Sequence, residues 1–396
     1  MKILVFNPGS EGGIAKYGWY QARALARLGC ETLVLCDRGQ DEANPNDVTA
    51  LGVLAGEQAS RKERTRLSRV CYLIRQCLSD QISLFRAIIR HRPDAVLLAS
   101  YMEYLSPAWV WLQLLAKKSM GVTFVADLHD PVRDFVVGPA WWHKLSVGLA
   151  YRPLSAVFVH EQPPHEAGIP SHVRIHEVPH GLYPTGVPTR TAKDVRHEWS
   201  VPEVAVVFLS FGFIRDSKNI DLLIRALAFN PDAFLVVMGR VQSVSSNRPV
   251  VFYQQLAKEL KVDNRVQFVT GFVPDSKLAD YFNAADAYAM TYSKSFRSQS
   301  GVLNTAAAFA KPVLASSGSG PLRECVERFG LGIFVAPDDP AELARGMSAI
   351  CQQVAEARSK AGSSPYLAGW EAYRRYASWE NNAKVVLDAI KAARKE

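Results

Sequence analysis

Three observations predict an α/β chain of two doubly wound Rossmann-like domains. The chain has 396 residues, long for a single hydrophobic core. Short, nearly continuous apolar runs alternate with amphipathic helical stretches, the pattern of parallel strands covered on both faces. The alternation pauses once, in a stretch rich in Pro, Gly and Thr, and then restarts. Composition is ordinary for a globular protein, 48% hydrophobic and 21% charged, which excludes collagen-like, disordered and repeat classes.

The elements follow in order. "KILVF" is a strand that ends at the turn-rich "NPGSEGG". "IAKYGWYQARALARLG" reads as a helix with Ile14, Tyr17, Ala22, Leu25 and Leu28 on one face and Gly29 as its stop. Strands follow at "CETLVLC", 94–100, 122–128, 155–160 and 174–179. "LYPTGVPTRTAKD" at 182–194 is the linker. The second half then runs through "VAVVFLSF", "NIDLLIRALAF", "AFLVVMG", "VFYQQLAKEL", "RVQFVTG", "KLADYFNAA" and "DAYAMT". A helix opened by "SQSG", then "PVLAS", "LRECVERF", "GIFVA" and "PAELARGMSAICQQV" complete it. After the polar "ARSKAGSSP" comes a helical tail. The expected domains are 1–185, an acceptor-side domain; 186–365, a donor domain; and 366–396, a tail packing back on the first. They are expected to face each other across a cleft.

Ligands of such sheets bind outside the carboxyl ends of the strands, so the loops after strands hold the candidate chemistry. Gly12 and Gly13 let backbone approach a ligand at a helix start, where free N–H groups favour anions; a plain structural turn is the other reading. After Gly212, Arg215 and Lys218 flank the start of a helix. Cations there oppose the helix dipole, and a phosphate held between them would reverse the sign; otherwise they are solvated surface cations. In "SFRSQSGVLNTAAAFAK", Ser298 or Ser300 can cap the helix and Gly301 lets a ligand come close. Ala306, Ala307, Ala308 and Ala310 would let it pack tightly. His129 and Asp130 follow a strand directly, and His180-Gly181 stands before the linker; each is a site residue or a structural one.

Taken together, "GGIAKYGWYQARALARLGCETLVLC", "LHD", "VPHGLY", "FGFIRDSKNIDLLIRAL", "VTGFVPDSKLADYFNAADAYAM", "SGVLNTAAAFAKPVLAS" and "YASWENNAKVVL" resemble glycosyltransferase family 4, almost end to end. The resemblance implies the GT-B fold and a retaining transfer from a nucleotide-sugar donor. It implies no cofactor and no required metal ion. Gly13 would approach the donor diphosphate, Arg215 and Lys218 would neutralise it, and His129 would lie near the donor sugar. Gly12, Gly212, Arg297, Ser298, Ser300, Gly301, Val302 and Thr305 complete the donor side, and the tail after Trp379 would cross back to the first domain. The family's pair of Glu in an E-x7-E motif is replaced here by Arg297 and Thr305, and an Arg there favours an anionic group such as a phosphate or uronate. Related helix mouths of the "SQSGVL" kind occur among such transferases. The alternatives are a non-catalytic GT-B binding subunit, an inverting transferase or a nucleotide-sugar epimerase.

Net charge is +8, and nine Lys/Arg against two acids lie within 61–92. Here Val70, Leu73, Ile74, Cys77, Leu78, Ile82 and Phe85 can form one stripe, expected to pack on the first domain while the arginines meet anionic headgroups. The expected partners are therefore a nucleotide-sugar, a glycan or lipid-linked acceptor and an anionic membrane surface. Nucleic acid is not expected, for no binding motif accompanies the charge. Six scattered cysteines without zinc spacing read as reduced thiols. No apolar leader opens the chain, and Glu103 and Pro107 break its most apolar window. The expected location is cytoplasmic, peripheral on the inner face of the plasma membrane.

Overall fold

The structure is a computed structural model. It describes the whole chain except residues 10–12, 39–46, 55–65, 102, 130–138, 162, 164–166, 243–246, 361–363 and 396. The chain divides into two compact units, Met1–Gly181 with Ser378–Glu396, and Leu182–Ala377.

The first unit holds a seven-stranded sheet: β1 (Lys2–Asn7), β2 (Glu31–Asp37), β3 (Thr49–Leu54), β4 (Ala95–Leu98), β5 (Thr123–Asp127), β6 (Leu154–Val159) and β7 (Arg174–Glu177). The order is β3-β2-β1-β4-β5-β6-β7, with every pairing parallel. Parallel strands need crossovers, and the crossovers cover both faces. On one face α1 (Gly13–Arg27) and the last helix of the chain pack with Val5, Val34, Leu97 and Val125. On the other, α2 (Arg66–His91) and α3 (Ser106–Met120) pack with Leu4, Phe6, Val96 and Phe124, and α4 (Ala140–Ala150) packs on α3. Tyr17, Ala22 and Leu25 are buried as the helical period predicts, whereas Ile14, in the first turn of α1, is exposed.

The second unit holds β8 (Val206–Phe211), β9 (Ala233–Gly239), β10 (Val266–Thr270), β11 (Ala287–Thr291), β12 (Val313–Ser316) and β13 (Gly332–Phe334) in the order β10-β9-β8-β11-β12-β13. These pairings are also parallel. Its helices are α5 (Ala192–Glu198), α6 (Ile220–Ala228), α7 (Val250–Glu259), α8 (Asp275–Ala284), α9 (Gly301–Ala306), α10 (Pro321–Phe329), α11 (Pro340–Lys360) and α12 (Leu367–Tyr376). Strand order reverses between β1 and β4 and again between β8 and β11, so each sheet has a switch point.

Several expectations change. The first boundary falls at Gly181/Leu182. The tail does not leave the second unit at 366. Helix α12 stays there because Trp370 donates Nε1–H to Lys311 O at 3.0 Å, and the Tyr373 hydroxyl meets Asn304 Oδ1 at 2.5 Å. Only from Ser378, which caps α13 (Trp379–Ala393) by accepting from Asn381 N, does the chain return to the first unit. Strand β3 and helices α3, α4 and α5 carry signals the sequence reading passed over. Pro107 reads as a break, yet it sits in the first turn of α3, where a missing N–H costs nothing. The stripe on α2 does not pack inward as a whole: Ile74 and Ile82 are exposed, while Leu84 and Ile88 enter the core.

Candidate functional site

The second unit gathers its candidates at the carboxyl ends of β8, β11 and β12. A 3-10 turn over Asp216–Lys218 follows β8, and Asn219 in left-handed conformation starts α6. The turn sends the Lys218 side chain back to the strand end, where its ammonium donates to Phe211 O. Gly212 has φ +105, and a Cβ there would stand 3.1 Å from Lys218 Nζ and 3.9 Å from Val302 Cγ2. Thr291 Oγ1 donates to Lys218 O at 3.0 Å, and Ser293 N donates to Ser217 O at 2.9 Å. Asp338 accepts from Asn219 Nδ2 at 2.9 Å and from Lys294 N at 3.0 Å. These bonds zip the loop after β8 to the loop after β11. Tyr292, stacked on Phe296 at 3.9 Å, has its ring 5.8 Å from Lys218 Nζ and its hydroxyl 3.1 Å from Ser300 Oγ. The structure thus brings Gly212, Lys218, Ser300 and Val302 together around Tyr292.

The charge balance of this edge is uneven. Lys218 is only 8% exposed. Burial, and after it the Arg215 guanidinium, pulls its ammonium down to about 7. Arg215 Nε is buried without a hydrogen-bond partner. Among the described residues neither cation forms an ion pair. The nearby acids are already occupied: Asp216 accepts from Arg248 N and Nε at 3.1 Å and from the Tyr253 hydroxyl at 2.6 Å, and Asp221 accepts from Arg248 Nη1 at 3.1 Å. Burial alone would lift the Asp216 carboxyl, but the bonds from Tyr253 and Arg248 outweigh it and hold the carboxyl low. An unpaired buried cation beside neutralised acids is costly unless an anion completes it.

The remaining donor-side candidates are placed differently. Ser300 stands at the N-cap of α9 but makes no cap bond, since its hydroxyl meets Tyr292. Helix α9 has six residues and stops at Ala306, so Ala307, Ala308 and Ala310 lie beyond it. Arg297 and Ser298 are exposed, and the Arg297 backbone packs where a Cβ on Gly320 would fall. Thr305 spends its hydroxyl on Gly301 O at 3.3 Å. Gly301 and Gly13 are exposed with open space where a Cβ would stand. Gly12 and Asp130 lie outside the described residues.

The first unit has a second cluster at the carboxyl ends of β5, β6 and β7. His129, His160 and His180 stand in a row, with ring centres 5.6 Å and 4.9 Å apart. The Tyr17 ring meets all three edge-on, at 4.7, 5.4 and 5.2 Å, and meets Trp379 at 4.9 Å. Each imidazole faces a carbonyl: His129 Nε2 faces Ala99 O, His160 Nδ1 faces Val178 O and His180 Nδ1 faces Gly181 O. A carbonyl only accepts, so those nitrogens carry the protons. Burial, and then the neighbouring imidazoles, pushes His160 well below its usual range, and burial takes His180 down to about 4. Gly181 is a close approach, for a Cβ there would come within 2.1 Å of the Trp379 ring. Beneath lies a buried network. Asn382 Nδ2 donates to the Tyr17 hydroxyl at 2.6 Å and to Pro179 O at 2.9 Å. Gln21 Nε2 donates to Asn382 Oδ1 and to Asp127 Oδ1. Burial raises Asp127 to about 8. Sequence reasoning missed His160, Tyr17 and Asn382, whose only signal was position at strand ends and on helix faces. Among the described residues no group of three or more His, Cys, Asp or Glu is placed to hold a metal ion.

Comparison with known proteins agrees with this architecture. Residues 12–162 match the glycosyl transferase 4-like domain family, and residues 192–364 match the glycosyl transferases group 1 family. Curated proteins give no match. Among solved structures, sucrose-phosphate synthase from Thermosynechococcus elongatus has a TM-score of 0.68 at 20% identity, over 100% of this chain and 98% of that one. Anabaena HepE, in complex with UDP and glucose, has a TM-score of 0.68 at 18% identity, over 99% of this chain and 100% of its own. A glycosyltransferase from Rickettsia africae has 0.68 at 16% identity, over 100% and 99%. The chain belongs to the family 4 type of glycosyltransferases and has the GT-B fold.

Proposed function

We propose that the protein moves a hexose-type sugar from a nucleotide-sugar to a glycan or lipid-linked acceptor, with retention of anomeric configuration, in the cytoplasm. One observation carries the donor side of this reading: Lys218 and Arg215 sit without an ion-pair partner beside Gly212, while Arg248 occupies the acids next to them. A nucleoside diphosphate supplies the missing anion. As the sugar leaves, negative charge grows on the diphosphate, and preorganised cations stabilise that charge as it forms. Two fixed cations of the chain take the part a divalent ion would otherwise have. Membership of the family 4 type supports retention; in such a reaction the leaving phosphate oxygen can accept the acceptor's proton, so no side-chain base is required. His129 serves the donor sugar in this reading, with Gly13 open to the diphosphate. Arg297, where a carboxylate would stand, favours a donor with an anionic sugar such as a uronate.

The test is a thermal-shift panel of UDP, GDP, ADP and TDP and their sugar conjugates, uronates included; the UDP bound to HepE makes uridine the first choice. A ligand at a hundred times its dissociation constant adds about 2.7 kcal/mol. One nucleotide should shift the wild type and leave Lys218→Ala and Arg215→Ala unmoved. Absence of any shift would favour a non-catalytic binding subunit. Because Lys218 in the free protein sits at about 7 and a bound anion raises it, affinity should weaken with rising pH above that value, by up to about tenfold per unit.

A further inference from the structure

Helices α2, α3 and α4 form one layer of the first unit, with α3 packed between the other two. Leu84 and Ile88 of α2 and Ala116 of α3 turn into the core. The outward side leaves large apolar residues uncovered: Ile74 and Ile82 on α2, Trp111 and Leu115 on α3, and Trp141 and Leu145 on α4. Trp111 is 56% exposed and Trp141 66%. The pairs on α3 and α4 are four residues apart, so each pair shares a helix face. Along α2, Ile74, Leu78 and Ile82 alternate with Arg75 and Arg86 around a groove of about 540 Å³.

The charge of this layer has one sign. Across α2, α3 and α4 the sole acidic residue is Asp80, and it is buried. Arg75, Arg86, Arg90, Lys118 and Lys144 are exposed. Neither tryptophan sits in a closed pocket, and no helix among the described residues is long and apolar enough to cross a membrane.

We propose that the outward side of α2, α3 and α4 is a docking surface for an anionic lipid bilayer. The exposed cations meet headgroup phosphates, while Trp111, Trp141 and the isoleucines of α2 enter the boundary between headgroups and acyl chains. A second copy of the chain would bring like charges together, and nucleic acid would leave the apolar half of the surface in water. An anionic bilayer satisfies both halves. The surface rests on the transferase reading only for its purpose, which is to hold the enzyme beside a lipid-linked acceptor.

The experiment is co-sedimentation of the full chain with vesicles of phosphatidylcholine alone or with about a third phosphatidylglycerol, at low and high salt. Partition should be at least about tenfold stronger on the anionic vesicles and should fall with salt. The double variant Arg75→Glu/Arg86→Glu should lose that preference. Trp111→Ser/Trp141→Ser should bind several-fold more weakly yet keep its salt dependence. All of these residues are exposed, so melting temperatures should match the wild type. Equal partition on both vesicles, indifference to the arginine reversals, or self-association abolished by the tryptophan variants would overturn the proposal. Vesicle binding without any nucleotide shift would leave the surface standing and the donor reading fallen.

Discussion

The two polar clusters at the carboxyl ends of the two sheets solve burial in opposite ways. In the second unit the acids are paired and the cations are not: Arg248 takes Asp216 and Asp221, while Lys218 and Arg215 have no ion-pair partner among the described residues. In the first unit burial disfavours charge on His160, His180 and Asp127. Three imidazoles each face a carbonyl, Asp127 favours its proton, and Gln21, Asn382 and Tyr17 bond one another. An unpaired buried charge is expensive unless an anion completes it. The buried network beneath the imidazoles marks architecture, here the docking of α13 through Asn382 and Trp379, although Gln21 Oε1 and Asp127 Oδ2 find no partner in it.

The largest effect should come from breaking the unpaired side. Lys218→Ala should lower donor turnover by about 10²- to 10³-fold, the range for losing one preorganised group aimed at developing charge. The melting temperature of the ligand-free protein should not fall, because a buried ammonium leaves with it. Steady-state kinetics and calorimetry together check this, and a large loss of unliganded stability would make Lys218 architectural instead.

The neutral side breaks through pH. His180 lies below its unfolded value, at about 4 against 6.5. The unfolded chain therefore takes up the proton first. The His180 contribution is complete above 6.5 and is lost as pH falls toward 4, by about 3 kcal/mol. His160, also lowered, acts in the same direction. Asp127, raised to about 8, acts oppositely: its contribution fades as pH rises from the carboxylate range toward 8. Urea unfolding against pH should show the acid limb flattened in His180→Asn. An unchanged limb would mean the row is better solvated than its packing implies.

The smallest effect sharpens the contrast. Arg248 pairs with Asp216 and Asp221. Arg248→Gln would free Asp216 and Asp221 to oppose the diphosphate, and affinity should drop about five- to tenfold, near the 1.4 kcal/mol of one charge interaction in a partly screened site. Titration calorimetry with the nucleotide found in the thermal panel reads this directly.

The physics of periodicity explains what could be seen in advance. Parallel strands buried on both faces write themselves as apolar runs, so β9 was legible residue by residue and β1, β8 and β12 to within one or two residues, and the restart after 182–194 announced a second unit. Glycines and cations after strands pointed to Gly212, Arg215 and Lys218, because strand ends of such sheets are where ligands bind. Edges and exceptions were less visible. Strand β3 pairs on one side only, and Pro107 opens α3 where it seemed to forbid it. Other facts depend on partners far along the chain and have no local sign. Arg248 cancels Asp216 from 32 residues away, and Asn382 reaches Tyr17 across 365. His160 joins His129 only because β5 and β6 are neighbours. Sequence alone determined most of the elements, the two α/β units and the loops worth watching. Tertiary structure decided which charges are spent and which remain, because pairing is a matter of distance in space, and distance along the chain does not encode it.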